Sequence, residues 1–513
     1  MGVLLLSASC VEQPKAVLRS VSVEQDEIVL PVGGSDTLYF SVQETDYAFD
    51  LENDVVLYLA KGLFLVSTDF MLTRVEKDEV PGRYRAIITD LGQRDDYEAE
   101  VRLGIRRSAY EAELSASFIC KCEFAGPMGL VRKSGLPIFY LDTQYGAKIL
   151  SKENYVKATV TLHDGDKVTD ALPCNVRGRG NTTWSWPKKP YALKMESKTS
   201  FFGFPAHKRW VLLANFMDRT MMRNLIAMKV SSMTSLAWTP RCRSVELVLN
   251  GEPQGNYVLI EQVKVDKNRV NIKDGFLFES DFHFDNEVQW VDPHGRSVEF
   301  SNGIPFAIKD PDEEDLTADL VTEAKMLIDR TAKVIYGPDF ADPEKGYASV
   351  IDVDSYIDYW IVFEVMGNHE LGNPGSVYSY WDRGGKLTAG PCWDFDWGIL
   401  SYNTSPQARS GLINGQACWY ARLFEDPAFK ARVKARFEEL LPQLQTIPAY
   451  IDELEKQLDV SAKLNFQLWN PAQDASMNGG RIINGDENIP FHDAVARLRK
   501  IYEERLTVIS ENL

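Results

Sequence analysis

Two carboxylates one residue apart, Asp394 and Asp396, sit among three large rings in Trp393-Asp394-Phe395-Asp396-Trp397-Gly398. In an extended segment side chains alternate with period two, so the acids leave one face and Trp393, Phe395 and Trp397 leave the other. The rings would anchor the backbone while the acids project together. Adjacent carboxylates repel unless a positive charge stands between them, and a hard divalent cation such as Mg²⁺ prefers such oxygen ligands. The competing reading is a rim strand whose acids are solvated or paired with Arg and Lys.

A second stretch, Cys174–Met195, supplies the opposite charge. Gly178 and Gly180 permit close backbone approach, and Arg177, Arg179 and Asn181 beside them suit a phosphate. A glycine-rich turn alone is a weak signal. In the strand that follows, Ala192 and Lys194 share a face, a small residue next to a lysine, as in the Val-Ala-Ile-Lys strand of protein kinases. Lys189 is the rival for that lysine. The elements then run in a telling order: a strand over Arg209–Phe216, and a helix over Arg219–Ser235 that Asp218 can cap. Two strands joined at Asn250-Gly251 come next, then a connector at Glu261-Gln262-Val263. The helix carries no acid that could pair with Lys194.

Taken together, the blocks RGRGNTTWSWPKKPYALK, KRWVLLANFMDRTMMRN, VELVLNGEPQGNYVLIEQVKVDKNRV, the loop Asn368–Asn373 and GPCWDFDWG resemble the CotH (spore coat protein H) kinase family over residues 136–512. The resemblance implies ATP bound between two lobes and Mg²⁺- or Mn²⁺-dependent transfer of its γ-phosphate to protein Ser or Thr. It implies Lys194 on the phosphates with Arg177, Arg179 and Asn181 near them, Glu261 at the hinge beside adenine, and Asp394 and Asp396 on the metal. Glu370 would be the loop acid that accepts the hydroxyl proton, standing where the family is expected to carry Asp. Ser376 likewise replaces an expected Asn. The alternative on the same fold is an inactive pseudokinase or a surface scaffold for a protein or glycan. A metal-dependent hydrolase is disfavoured by a total of 6 histidines and the lack of a His-rich ligand motif.

The elements that must position these residues fall into a multidomain α+β chain. Over 513 residues, 44% hydrophobic and 25% charged, several domains with sizeable cores are expected. A net charge of −18 argues against nucleic acid as a partner. Residues 20–118 alternate apolar and polar positions and predict an immunoglobulin-like β-sandwich. Residues 119–135 read as a linker, and 136–513 as an atypical two-lobed kinase-like domain. The opening MGVLLLSASC is like the tail of a lipoprotein signal, with Cys10 as the lipid-bearing residue and 1–19 as signal remnant and tether. That places the protein outside the cytoplasm, anchored to a bacterial outer membrane or cell surface. The remaining cysteines read as buried and inert.

Overall fold

The computed structural model describes residues 18–31, 34–44, 50–59, 69–91, 97–105, 114–122, 126–283, 288–295, 303–469, 484–486 and 489–513. Cys10 and the expected signal lie outside them. The chain divides into two compact units, 1–132 and 133–513.

In the first unit two four-stranded sheets share one core. One sheet orders Leu18–Val23, Ser35–Glu44, Arg83–Asp90 and Phe70–Lys77; the other orders Glu27–Leu30, Leu114–Cys122, Tyr97–Ile105 and Val55–Leu59. The alternation explains the arrangement: Leu38, Phe40 and Val42 are buried while Tyr39 and Ser41 between them are not. They meet Val101, Leu103, Phe118 and Cys120 of the facing sheet. The domain boundary differs from the sequence expectation. Strand Leu114–Cys122 crosses residue 118, and helix Gly126–Lys133 occupies 8 residues of the expected linker.

The second unit begins with a closed barrel. Strands Val156–Asp164, Leu172–Gly178, Tyr191–Thr199, His207–Leu213, Glu252–Glu261, Cys242–Leu249 and Ile138–Thr143 pair in that order, and the last pairs back to the first. Its only parallel contact is Cys242–Leu249 against Ile138–Thr143. Phe139, Leu193, Trp210, Leu212 and Tyr257 fill the interior. Tyr191, Leu193 and Met195 point inward, as period two requires, so Ala192 and Lys194 face outward.

On the outer face, Val211, Leu213, Val258 and Ile260 join a larger core. That core is shared with a five-stranded antiparallel sheet, ordered Gln289–Asp292, Ile304–Asp310, Gly275–Ser280, Val377–Asp382 and Thr388–Ala389. At its centre runs helix Val353–Val365, apolar on nearly every side and buried accordingly. Its cap is Asp352, whose Oδ1 accepts from Ser355 N at 2.9 Å. Asp354 lies outside on the first turn and pairs with Arg432. Helices Ala318–Ile335, Pro427–Leu444, Ile447–Leu468 and Phe491–Asn512 complete this half. The break before Pro427 falls where Asp426 Oδ1 accepts from Ala428 N at 2.9 Å.

Candidate functional site

The double-acid segment is a loop rather than a strand, since regular pairing stops at Ala389. Asp394 has φ of +63°, a left-handed conformation that non-glycine residues rarely adopt and that tends to cluster at functional sites. This turn breaks the expected alternation. Phe395 and Trp393 are both buried in the core, Phe395 edge-on to Phe363 with centroids 4.8 Å apart, while Trp397 and an edge of Trp393 line a cleft beside the acids. The short helix Arg223–Ser231 pins the loop at two points. Asn224 Oδ1 accepts from Phe395 N at 2.9 Å, and Arg223 Nε donates to Ile399 O at 2.7 Å. Arg223 is fully buried and held between Asp218 and Asp486. Gly398 N donates to Asn484 Oδ1 at 2.9 Å, closing the loop's far end.

The cleft has a volume of about 1140 Å³ and lies between the barrel and the sheet-and-helix half. Asp394, Asp396 and Glu370 line it together, all half-buried. Glu370 follows the end of helix Val353–Val365, where Asn368 Oδ1 accepts from Glu370 N at 2.8 Å. Asn414 Nδ2 in turn holds Asn368 O at 2.9 Å, and the buried Glu364–Arg505 pair at 2.7 Å braces the helix end. Burial pushes the Glu370 carboxyl well up, and the charges of Asp394 and Asp396 push it further. Burial and then Asp394 raise Asp396 to about 8. Asp394 is raised by burial, against the pull of Arg179. Glu370 Oε2 is buried with no hydrogen-bond partner. An all-oxygen donor set under mutual repulsion, with one orphaned lone-pair group, suits a hard cation. Among the described residues, no set of three His, Cys, Asp or Glu is gathered closely enough to cage a metal by itself.

The opposite wall is basic. Arg177, Arg179 and Arg209 line it, with Asn181 at the rim. The Arg179 guanidinium stands 5.6 Å from the Trp393 ring centre, Arg177 stands 4.9 Å from that of Tyr155, and Arg209 donates to Tyr155 Oη at 2.7 Å. Gly178 is required here by close approach: a Cβ would fall 2.3 Å from the Trp184 ring. Asn181, Arg177 and Arg179 are therefore brought together with the acids.

Two nominated residues are not. Lys194 is exposed and does not line the cleft; its neighbour across the strand pair, Arg209, does. The Glu261 carboxylate is buried and accepts from Arg241 N at 2.9 Å and Nη1 at 3.2 Å, while the next residues, Gln262, Val263 and Lys264, line the cleft. Lys189 is turned onto Trp184 O at 2.7 Å.

Sequence reasoning missed Lys309 and Glu279, a 3.0 Å ion pair in the cleft lining. Burial opposes the Lys309 charge, but Glu279 outweighs it and the ammonium pKa is raised. Tyr378 Oη donates to the same carboxylate at 2.7 Å. A signal was present, since Ala307-Ile308-Lys309 repeats the spacing of Ala192-Leu193-Lys194. Val211, Val263, Leu277 and Ile308 give the cleft its apolar part.

A family model described as CotH kinase protein matches residues 176–509, more than half of the chain. A search of curated proteins gives no match. Among solved structures, FdeC, described as an Escherichia coli adhesin, is similar at 15% identity over 38% of this chain and 59% of its own, with a TM-score of 0.17. A likeness that low carries no argument.

Proposed function

Because the chain belongs to the CotH kinase family, we propose that its second unit is a two-lobed phosphotransferase that moves the γ-phosphate of ATP to Ser or Thr of a protein acceptor. One observation carries this reading: three half-buried carboxylates with raised pKa values face three arginines across a single cleft. Phosphoryl transfer asks a protein for positioning and charge neutralisation more than for covalent chemistry, and this cleft offers both.

Asp394 and Asp396 would hold Mg²⁺ or Mn²⁺, with phosphate oxygens and water completing the shell, as Mg²⁺ sites often do. Bound there, the cation would neutralise charge on the transferring phosphate. Arg179 and Arg177 would orient the phosphates, Lys309 would add a third cation, and the slot of Val211, Val263, Leu277 and Ile308 would take the base. Glu370 fits a neighbour of the cation better than a base, because its free oxygen is buried. At the other end of the chain, the small-residue run before Cys10 supports a lipid anchor and an extracytoplasmic location. Among the described residues no helix is long and apolar enough to cross a membrane.

The test is transfer of labelled γ-phosphate from ATP, with Mg²⁺ or Mn²⁺, to the chain itself and to casein, beside Asp394→Ala. Label that appears with the wild type and vanishes in the variant bears the reading out. No label from either protein overturns it.

A further inference from the structure

Strand Gly275–Ser280 ends in a turn, Asp281-Phe282-His283, that enters the same cleft as the paired acids and the arginines. The turn is fastened beside the Glu370 loop, for Phe282 N donates to Pro374 O at 2.7 Å. Gly375 lies between the two: a Cβ there would stand 3.3 Å from Glu370 Oε1 and 3.7 Å from the Phe282 ring. The Phe282 ring stacks on the His283 imidazole with centroids 4.1 Å apart. Asp281, whose side chain is 14% exposed, bonds His283 Nδ1 at 2.7 Å and accepts from its backbone N–H at 2.8 Å. The imidazole is thereby fixed in orientation by a carboxylate on one nitrogen. Among the described residues its Nε2 has no hydrogen-bond partner, and the side chain is 32% exposed, which leaves that nitrogen open to the cleft.

A carboxylate-oriented imidazole next to a reacting centre is the arrangement that general-base chemistry needs: geometry fixed on one nitrogen, an open lone pair on the other. Glu370 is poorly suited to that task, since its free oxygen is buried and the charges of three further carboxylates, Asp394, Asp396 and Asp281, act on it. Resting on the phosphotransfer reading, we propose that His283, held by Asp281, is a catalytic residue that takes the proton from the acceptor hydroxyl. The acceptor oxygen forms its bond to the γ-phosphorus as the bond from that phosphorus to the β–γ bridging oxygen breaks. The bridging oxygen leaves with the electron pair on ADP, and the hydroxyl proton passes to His283 Nε2. Nδ1–H stays donated to Asp281, whose charge stabilises the imidazolium. Asp281 is in this scheme a positioning residue.

The experiment uses the full chain with ATP and Mg²⁺ or Mn²⁺, and follows label into the chain itself, into casein, and into water as released phosphate. His283→Ala should lower the rate of label transfer by roughly 10²- to 10⁴-fold, the usual reach of general-base catalysis. Its ATP affinity should stay within about twofold of wild type, since a base that meets only the acceptor adds little to nucleotide binding. Added imidazole should restore part of the rate, which a structural role would not allow. Asp281→Asn should lower the rate while leaving ATP affinity in place. If His283→Ala melts below the assay temperature, His283→Gln carries the same expectations. A His283 variant that transfers at the wild-type rate overturns the proposal alone. A variant that loses ATP affinity in step with rate does so too, because it assigns His283 to binding. A wild-type chain that labels neither itself, casein nor water overturns the phosphotransfer reading beneath it.

Discussion

Replacing Asp396 by Asn should stabilise this protein when no divalent cation is present, an unusual outcome for a residue at a functional site. The Asp396 carboxyl rises from its ordinary 3.8 to about 8, through burial first and the charge of Asp394 second. A carboxyl with a raised folded-state pKa favours the protonated form, so it contributes stability at low pH and loses it as pH climbs from about 4 towards 8. Near pH 7 the difference from the unfolded chain is about three pKa units, or about 4 kcal/mol against folding. Water in the cleft screens part of that, because Asp396 is only half-buried, and an Asn amide must find its own partners; a net gain of about 2 kcal/mol remains. Urea unfolding at pH 5, 7 and 8 in EDTA should show the wild type weakening as pH rises and Asp396→Asn much less so. With Mg²⁺ the order should reverse, since only the wild type offers two carboxylates to the cation. Destabilisation of Asp396→Asn in EDTA at pH 8, or an equal Mg²⁺ shift in both proteins, would refute the reasoning.

Three further changes separate the parts of the site. Lys194→Met should leave phosphate transfer within about twofold of wild type, as expected for an exposed surface side chain, whereas Lys309→Met should raise the KM for ATP about tenfold or more, the loss of a charge-assisted contact; steady-state kinetics of both variants decides. Asn224→Ala leaves the Phe395 N–H without its acceptor and should cost about 1–3 kcal/mol in urea unfolding, with a fall in rate as the acidic loop loosens. Glu364→Ala strands the fully buried Arg505 guanidinium and should cost about 3–5 kcal/mol, read as a drop in melting temperature without any change in the cleft's own side chains.

Much of this was legible in the chain. Period-two alternation placed Leu38, Phe40 and Val42 on the inner face of their strand because those positions are buried on one side only. The mixed Arg and Gly stretch at Arg177–Asn181 and the paired acids at Asp394 and Asp396 do meet in one cleft. Local pattern failed where a single backbone torsion decided the outcome, as at Asp394, whose positive φ goes with a Trp397 turned to the cleft side and out of the main core. It failed again where charge was enclosed in apolar sequence. Glu279 lies inside Gly275–Ser280 and Lys309 inside Ile304–Asp310, and only the pairing of these two strands makes them partners. Lys194 misled for a related reason: its spacing from Ala192 gives the face of the strand, but not how far along that face the cleft extends.

The ring closure of the barrel also decides where the chain can be cut. The family match begins at residue 176, inside strand Leu172–Gly178. A fragment trimmed to that limit would drop Ile138–Thr143 and Val156–Asp164, and with them both partners that complete the hoop. Strands Leu172–Gly178 and Cys242–Leu249 would then end in bare backbone, a ready template for sticking to other copies, and Phe139 and Val160 would leave voids against Leu193 and Trp210. The stretch from 138 to 164 lies outside the matched residues, yet it is the clasp that holds the arginine-bearing strands in their curve. A fragment that keeps the hoop intact therefore has to start near residue 133, 43 residues upstream of residue 176, where the family match would place the first cut.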